Sequence, residues 1–266
     1  DALGQTSMST YPPSVTAPPA PTAVADVLSG PMDAPQSVNV LTNDTVGASG
    51  VTIIASTIKL CASNETSPNC SATSVTVGGG TYTVSPQGVV TFTPTSGFSG
   101  TAPAVTYVAS TNTNQTLSGT VAGNVIAPPT LVNDTSSGAY NTAQSKNLVT
   151  NDSATNGTTL VNSSMRLCDS TTTPAQSAPN CAATTVTVSG KGTYVLSGTT
   201  VTFTPVASFV GSAPALSYSV EDELGQVATA TYTPTVAAPP APTGVADTLS
   251  GPMGAPQSAN VLSNDT

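Results

Sequence analysis

Apolar and polar residues alternate in short stretches along the whole chain, and turn residues separate these stretches. In one of them Val90 and Phe92 alternate with threonines, so that the two apolar side chains would share one face of a strand. Between residues 17 and 126 this alternation predicts nine strands: Val24–Leu28, Ser37–Leu41, Val51–Ile54, Thr57–Cys61, Ser74–Val77, Thr81–Val84, Val89–Thr93, Val105–Ala109 and Leu117–Val121. No stretch has the helical period. Short strands at this spacing predict an all-β fold, an antiparallel Ig-like β-sandwich.

The sequence repeats itself over long distances. The stretch Pro18–Thr45 returns as Pro239–Thr266 with 23 of 28 residues identical, and a more distant copy begins at Pro128. The motif VTFTP occurs at Val90–Pro94 and again at Val201–Pro205. Over the 19 residues that begin at Asp26, the third copy is identical to the first at 15 positions and the middle copy at only 9. These repeats predict modules that alternate in the order A-B-A.

The repeats also give the domain boundaries. We expect two complete modules, module A over residues 17–126 and module B over residues 127–237. Residues 1–16 resemble the end of module B and are predicted to be the C-terminal strand of a preceding module, and residues 238–266 the N-terminal part of a following module A. Ala-Pro-Pro sequences mark the junctions, and proline in a linker favours an extended, semi-rigid spacer. We therefore expect tandem modules joined by Pro-rich linkers within a longer array.

Few residues carry charge, and most of those are acidic. Four Lys or Arg stand against 13 Asp or Glu, for a net charge of -9. Such a chain cannot neutralise phosphates, which excludes nucleic acid and anionic membrane surfaces as partners. No apolar run is long enough for a membrane span. Histidine is absent, so Ser-His-Asp and Cys-His mechanisms and most catalytic zinc sites are excluded.

The four cysteines lie at matching places in the two modules. Cys61 and Cys70 lie in module A, Cys168 and Cys181 in module B, and no C-x-x-C pair is present. Metal sites need tighter spacing or histidine partners, so this spacing predicts one local disulfide in each module. Disulfides and a surface of hydroxyls and amides favour an oxidising, extracellular location.

The stretch Val201–Val236 resembles the C-terminal half of a CshA-type fibril repeat, which is found in large surface adhesins of bacteria. The matching elements are V-T-F-T-P, F-x-G-x-A-P, Y-x-V-x-D-x-x-G and a closing T-Y-T-P-T-V. Module A departs from the pattern after Tyr107. In that family the repeats form the long fibril and a separate non-repetitive region binds ligands. The resemblance therefore implies a stalk role and supplies no site residues.

Recurring aspartates are the candidates for a metal site. Asp26, Asp134 and Asp247 share one position in the repeat, and Asp44, Asp152 and Asp265 share another. The N-D-T element is similar to bacterial cadherin-like repeats, but the D-x-D-G pattern that would supply further oxygen ligands does not follow it. Asn and Asp also cap turns by bonding their own backbone. We therefore expect no cofactor, and calcium at these six aspartates is the alternative.

The sequence gives little support for catalysis or for a covalent cross-link. Glu221, Asp222 and Glu223 form the one acidic cluster, but adjacent strand residues point to opposite faces, whereas a glycosidase needs two carboxylates facing across a cleft. A Lys–Asn or Lys–Asp isopeptide bond needs a buried lysine, and Lys146 has no lysine counterpart in module A. We expect no enzyme and no catalytic residue.

The sequence thus predicts a structural segment of an extracellular fibre on a bacterial cell surface, an adhesin stalk that projects from cells or links them to surfaces, as in a biofilm. Expected partners are neighbouring modules, other fibres laterally, and surface molecules of a host or partner cell. Two alternatives remain. The modules bind glycans or host proteins, or the chains polymerise non-covalently by strand exchange, as pilus subunits do, with Thr6–Tyr11 as the donated strand.

Overall fold

Regular structure in the protein is almost entirely β. The computed structural model describes residues 2–13, 16–172 and 174–266. Within these residues it has eighteen strands and a single 3₁₀ turn at Leu148–Thr150. The chain divides into two compact units on either side of the Pro128–Pro129 bond. The all-β fold that alternation predicts and the tandem copies that the repeats predict are therefore confirmed.

Each module is a sandwich of two sheets. The strands of module A are β1 Asp26–Pro31, β2 Gln36–Asn39, β3 Ile53–Leu60, β4 Ser74–Val77, β5 Gly80–Val84, β6 Val89–Pro94, β7 Gly100–Thr101, β8 Val105–Thr111 and β9 Thr116–Ile126. One sheet has the order β1-β9-β8-β3, with β7 also paired to β9, and the other has the order β2-β6-β5-β4.

Module B repeats this plan strand for strand. Its strands are β10 Asp134–Gly138, β11 Gln144–Asn147, β12 Leu160–Leu167, β13 Thr185–Val188, β14 Gly192–Ser197, β15 Thr200–Pro205, β16 Gly211–Ser212, β17 Leu216–Asp222 and β18 Val227–Val236. The sheets have the orders β10-β18-β17-β12, with β16 paired to β18, and β11-β15-β14-β13. The repeat seen in the sequence is thus a repeat of the fold.

The first and last strands of each module pair in parallel, and every other pairing within the sheets is antiparallel. In module A, Asp26 lies beside Val121 and Pro31 beside Ile126. In module B, Asp134 lies beside Tyr232 and Gly138 beside Val236. The alternation of apolar and polar residues could not reveal this direction. It shows which face of a strand is buried, but not which strand lies beside it or in which direction that strand runs. As a result the chain enters each module at one end of the sandwich and leaves it at the opposite end.

Strand β3 corrects one detail of the predicted strand set. The stretches Val51–Ile54 and Thr57–Cys61 were expected as two strands but form one, and its register against β8 shifts between Ile54 and Lys59. The Thr57 hydroxyl fills the irregularity, since its oxygen accepts from the amide of Ser110 at 2.8 Å and its proton goes to the carbonyl of Ile54 at 2.7 Å. A bulge of this kind bends a strand without ending it.

The core of each module lies between its two sheets. In module A, Tyr82 and Phe92 are fully buried with ring centroids 4.6 Å apart, and in module B Tyr194 and Phe203 lie 4.7 Å apart. These rings come from adjacent strands of the same sheet, where facing residues place their side chains on one side. The alternation of Val and aromatic residues with Thr thus sets which face becomes the core.

Residues 2–13 and 238–266 contain no strand. Their assignment to neighbouring modules, like the module boundaries themselves, stays a prediction. The third copy of the repeat does form one local contact that the other two also form. Thr243 and Thr266 exchange backbone hydrogen bonds, as do Thr22 with Thr45 and Thr130 with Ser153.

Candidate functional site

A tyrosine and two aspartates meet inside module A. The hydroxyl of Tyr107, on β8, lies 3.0 Å from Asp44 Oδ2 and 3.1 Å from the carbonyl oxygen of Val40. Asp44 Oδ1 accepts from the amide of Val24 at 2.9 Å. Asp26, the first residue of β1, accepts from Asn43 Nδ2 at 3.0 Å. The cluster ties the start of β1 to the segment after β2 and to the centre of the sheet.

Module B contains a similar cluster with two differences. Asn151, the counterpart of Asn43, donates to the carbonyl of Val132 at 3.3 Å and not to the aspartate, and a lysine is added. The Tyr218 hydroxyl lies 3.1 Å from Asp152 Oδ2 and 3.2 Å from Asp134 Oδ2, and Asp152 Oδ1 accepts from the amide of Val132 at 2.7 Å. Lys146, on β11, adds a cation, with its Nζ 3.5 Å from Asp134 Oδ1. The side chain of Asp134 is fully buried.

Burial controls the protonation of these groups. Desolvation raises the pKa of Tyr107 and of Tyr218, and in each case the nearby Asp44 or Asp152 charge raises it further. Both hydroxyls therefore stay protonated and act as donors at any physiological pH. Desolvation also raises the pKa of Asp26 and of Asp152, although hydrogen bonds to their carboxylates oppose the change.

The structure thus brings four of the six predicted aspartates together in two pairs. Asp26 lies with Asp44, and Asp134 with Asp152. In the third copy Asp265 repeats one bond, since its Oδ1 accepts from the amide of Val245 at 2.7 Å, while Asp247 is exposed. Among the described residues, no group of three or more His, Cys, Asp or Glu is placed to hold a metal ion. Each pair therefore offers two carboxylates and a tyrosine hydroxyl.

Each module closes one loop with a disulfide, as its cysteine spacing predicts. Cys61 bonds to Cys70 and Cys168 to Cys181. A side-chain oxygen organises the inside of each loop. Glu65 Oε2 accepts from the amides of Ala62 and Ser71, which follow the two cysteines of module A. In module B, Gln176 Oε1 accepts in the same way from the amides of Asp169 and Ala182.

A shallow groove lies beside each disulfide loop. In module A it has a volume of about 500 Å³ and is lined by Glu65 and Thr66 of the loop and by Thr106, Ser118 and Thr120 of the adjoining strands. In module B it has a volume of about 410 Å³ and includes Arg166 and Glu221. No aromatic side chain lines either groove. The polar lining gives no stacking surface for a sugar ring.

The acidic triplet ends strand β17 and begins the turn after it, and it does not form a carboxylate pair. Asp222 is 2% exposed, and its Oδ1 accepts from the amides of Leu224 and Gln226 at 2.9 Å each. Glu223 accepts from the Thr159 hydroxyl at 2.8 Å, and Glu221 lies on the exposed face beside the groove. The carboxylates therefore point in different directions, as the alternation of a strand requires.

Two of these features escape analysis of the sequence by itself. Tyr107 and Tyr218 look like ordinary core aromatics, and only the fold shows that their hydroxyls meet aspartates far away in the chain. The shared role of Glu65 and Gln176 is also hidden, because a carboxylate and an amide do not align as identical residues. Their common position before the second cysteine of each loop is the signal that could have found them.

The chain was compared with curated proteins and with solved structures. No curated protein matches the chain. Similar solved structures include three immunoglobulin domains of titin in an E-to-A variant (12% identity, TM-score 0.31, covering 82% of this chain and 63% of that one). DIP-gamma IG1+IG2 is also similar, with 8% identity, a TM-score of 0.35 and coverage of 83% of this chain and 99% of that one. The human Desmocollin-1 ectodomain has 11% identity, a TM-score of 0.35 and coverage of 85% of this chain and 43% of that one. At these TM-scores the likenesses carry no argument.

The family match concerns both modules. The sequence model described as "Surface adhesin CshA repetitive domain" matches residues 18–125 and 126–236. Within the part of the chain that the structure describes, no helix is long and apolar enough to cross a membrane. Since the two matches together cover more than half of the chain, the protein belongs to the family of surface adhesin CshA repetitive domains.

Proposed function

We propose that modules A and B are load-bearing units of an extracellular bacterial surface fibre, the stalk of an adhesin. The observation that carries this proposal is the parallel pairing of the first and last strands in each module. Tension in a fibre pulls β1 towards the preceding module and β9 towards the following one. Parallel neighbours pulled in opposite directions are loaded in shear, so that all of their hydrogen bonds resist together instead of opening one at a time.

The same pairing favours extension. A chain that enters a sandwich at one end and leaves it at the other adds the length of a sandwich with each module. Strand β9 has 11 residues, which at about 3.3 Å per residue corresponds to about 36 Å. A spacer needs many equal and chemically inert units, and the low charge, buried aromatics and disulfide loops suit that role. The modules then project a ligand-binding region from the cell and perform no catalysis.

Partners follow from this role. Each module contacts its neighbours in the fibre, and few surface charges oppose lateral contact between fibres. Surface molecules of a host or partner cell are then met by other parts of the adhesin.

Single-molecule force spectroscopy on the full chain, held at its two ends, tests the proposal. Residues 26–126 of module A include 9 that stay locked behind the Cys61–Cys70 bond. The other 92 extend to about 330 Å at about 3.6 Å per residue, and the step is this length less the distance between the two ends of the folded module. Module B, with 13 locked residues, gives nearly the same step. Reduction lengthens the two steps by about 32 Å and about 47 Å, which identifies each module.

Two serine variants in module A separate mechanical from thermal stability. Ser29→Pro lies in β1, inside the sheared ladder, and should lower the unfolding force of module A. Ser37→Pro lies in β2, outside that ladder, and should lower the melting temperature without lowering the force to the same degree. Equal forces in the native chain and Ser29→Pro would overturn the mechanical role.

A further inference from the structure

Module A buries a carboxylate oxygen for which the described residues place no hydrogen-bond donor. Asp26 is 6% exposed, and its Oδ1 accepts from Asn43, while this second oxygen is its Oδ2. The Tyr107 hydroxyl interacts with the same carboxylate and lowers its pKa, against the effect of burial. Asp44 accepts from the Tyr107 hydroxyl and adds a second carboxylate. A buried carboxylate without a compensating charge is costly. Within the part of the chain that the structure describes, no Lys or Arg forms an ion pair with the cluster of module A.

Module B supplies that cation from its own sequence. Lys146 extends from β11 to Asp134, the equivalent of Asp26, and its side chain is 34% exposed. The equivalent residue of module A is Val38, because Val38 faces Val90 across β6 just as Lys146 faces Val201 across β15. The third copy has Ala259 at this position. The lysine thus belongs to module B, and the A-type copies have a small apolar residue in its place.

We propose that module A binds one hard metal cation, Ca²⁺ or Na⁺, beside Asp26, at the place where module B holds the ammonium group of Lys146 beside Asp134. The Oδ2 of Asp26 and the carboxylate of Asp44 are the charged ligands. The Tyr107 hydroxyl and the carbonyl of Val40, which lie 3.1 Å apart, are further oxygens of the cluster. All of these are hard oxygen donors, the kind that both ions prefer, and water completes the coordination.

Two carboxylates hold such an ion weakly. Calcium sites of high affinity gather more acidic side chains, whereas extracellular modules bind with dissociation constants of about 10⁻⁴–10⁻³ M. We expect an affinity in that range. The proposal also divides the six aspartates considered above, because it assigns a metal to the A-type pair Asp26–Asp44 and none to Asp134–Asp152.

Calorimetry on the full chain tests the proposal. The protein is melted in a metal-free buffer, and CaCl₂ or NaCl is added while choline chloride holds the ionic strength constant. At 10 mM Ca²⁺ we expect the melting temperature of module A to rise by about 7–13 °C and that of module B to stay unchanged. Comparison of the two salts identifies the ion.

Exchanging one residue between the modules provides the control. Val38→Lys should raise the melting temperature of module A in metal-free buffer and remove its response to the salt. Lys146→Val should lower the melting temperature of module B and make it respond. Each variant retains the aspartates and the tyrosine, so only the cation differs.

A second measurement covers variants that fold poorly. Tb³⁺ replaces Ca²⁺ at oxygen sites and luminesces when an adjacent tyrosine is excited. Tyr107 should sensitise bound Tb³⁺ in the native chain, excess Ca²⁺ should displace it, and Asp26→Asn should lose most of the signal. The proposal is overturned if neither salt shifts module A beyond the choline control, or if Tb³⁺ luminescence is the same in Asp26→Asn as in the native chain.

Discussion

Removal of a single disulfide should destabilise one module and leave the other unchanged. The change is Cys61→Ala with Cys70→Ala in module A. In the chain-entropy model a cross-link between residues 9 apart in sequence contributes about 2.6 kcal/mol to the free energy of unfolding. The loop of module B, with a separation of 13, contributes about 2.9 kcal/mol by the same reasoning. For a module of about 100 residues, either loss lowers the melting temperature by about 12–14 °C.

Scanning calorimetry on the full chain measures this loss. The two modules are separate compact units, so we expect the variant to split the heat-capacity peak into a shifted and an unshifted transition. Cys168→Ala with Cys181→Ala is the matched variant and should shift the other transition. Reduction of the native chain should reproduce both shifts at once, which shows that the lost cross-link is the cause and not the lost sulfur atoms.

A small effect would refute the reasoning. Glu65 bonds to the amides of Ala62 and Ser71 and to the Ser71 hydroxyl, and these contacts remain when the disulfide is removed. If the free energy of unfolding falls by less than about 1 kcal/mol, the loop has few conformations in the unfolded chain even without the disulfide, contrary to the chain-entropy model. A loss shared equally by both transitions would mean that the modules do not unfold independently.

Three further predictions concern the core and the tyrosine–aspartate cluster. Gly80→Ala should lower the free energy of unfolding of module A by about 1–3 kcal/mol, because a Cβ there would collide with the carbonyl oxygen of Thr93 and the ring of Phe92. Gly78→Ala is the control, since a Cβ there meets open space and should have little effect. Urea titration of both variants measures the difference. Tyr82→Phe should lower the free energy of unfolding of module A by about 1–3 kcal/mol, since the amide of Gly123 donates to the Tyr82 hydroxyl at 2.7 Å and would lose its buried acceptor. An unchanged free energy of unfolding would mean that water replaces the hydroxyl. The raised pKa of Asp152 means that folded module B holds this proton more tightly than the unfolded chain does, so this group adds stability as pH falls from 7 towards 4. Asp152→Asn should remove that contribution from the melting curve of module B, and an unchanged pH profile would contradict it.

Alternation of apolar and polar residues was sufficient to identify which side chains form the core. Tyr82, Phe92 and Val90 are fully buried because period-2 alternation places them on the same face of paired strands. Self-similarity likewise predicted that the fold occurs twice, since copies of one sequence have the same pattern of faces and turns. The disulfides were within reach as well, because the cysteines of each loop are close in sequence.

The direction of strand pairing and the long-range contacts could not be predicted from the sequence. Strand β1 pairs with β9 across almost the whole module, and its sequence has the same alternation whether its neighbour is parallel or antiparallel. The bulge in β3 depends on the hydroxyl of Thr57, which looks like any other threonine of a strand. The Tyr107 hydroxyl reaches Asp44 over 63 residues of chain, and no local pattern encodes such a meeting.

The sequence by itself therefore determined the class of fold, the number of copies and the local cross-links, because these depend on periodicity and on residues near one another in the chain. The tertiary structure decided that the first and last strands of each module pair in parallel, and it decided where charge is buried. Both follow from which distant strands become neighbours, and that choice is made by packing the whole sandwich. Val38 and Lys146 illustrate the difference. In sequence they are one more substitution between repeats. In the folded modules they decide whether a buried aspartate has a lysine beside it.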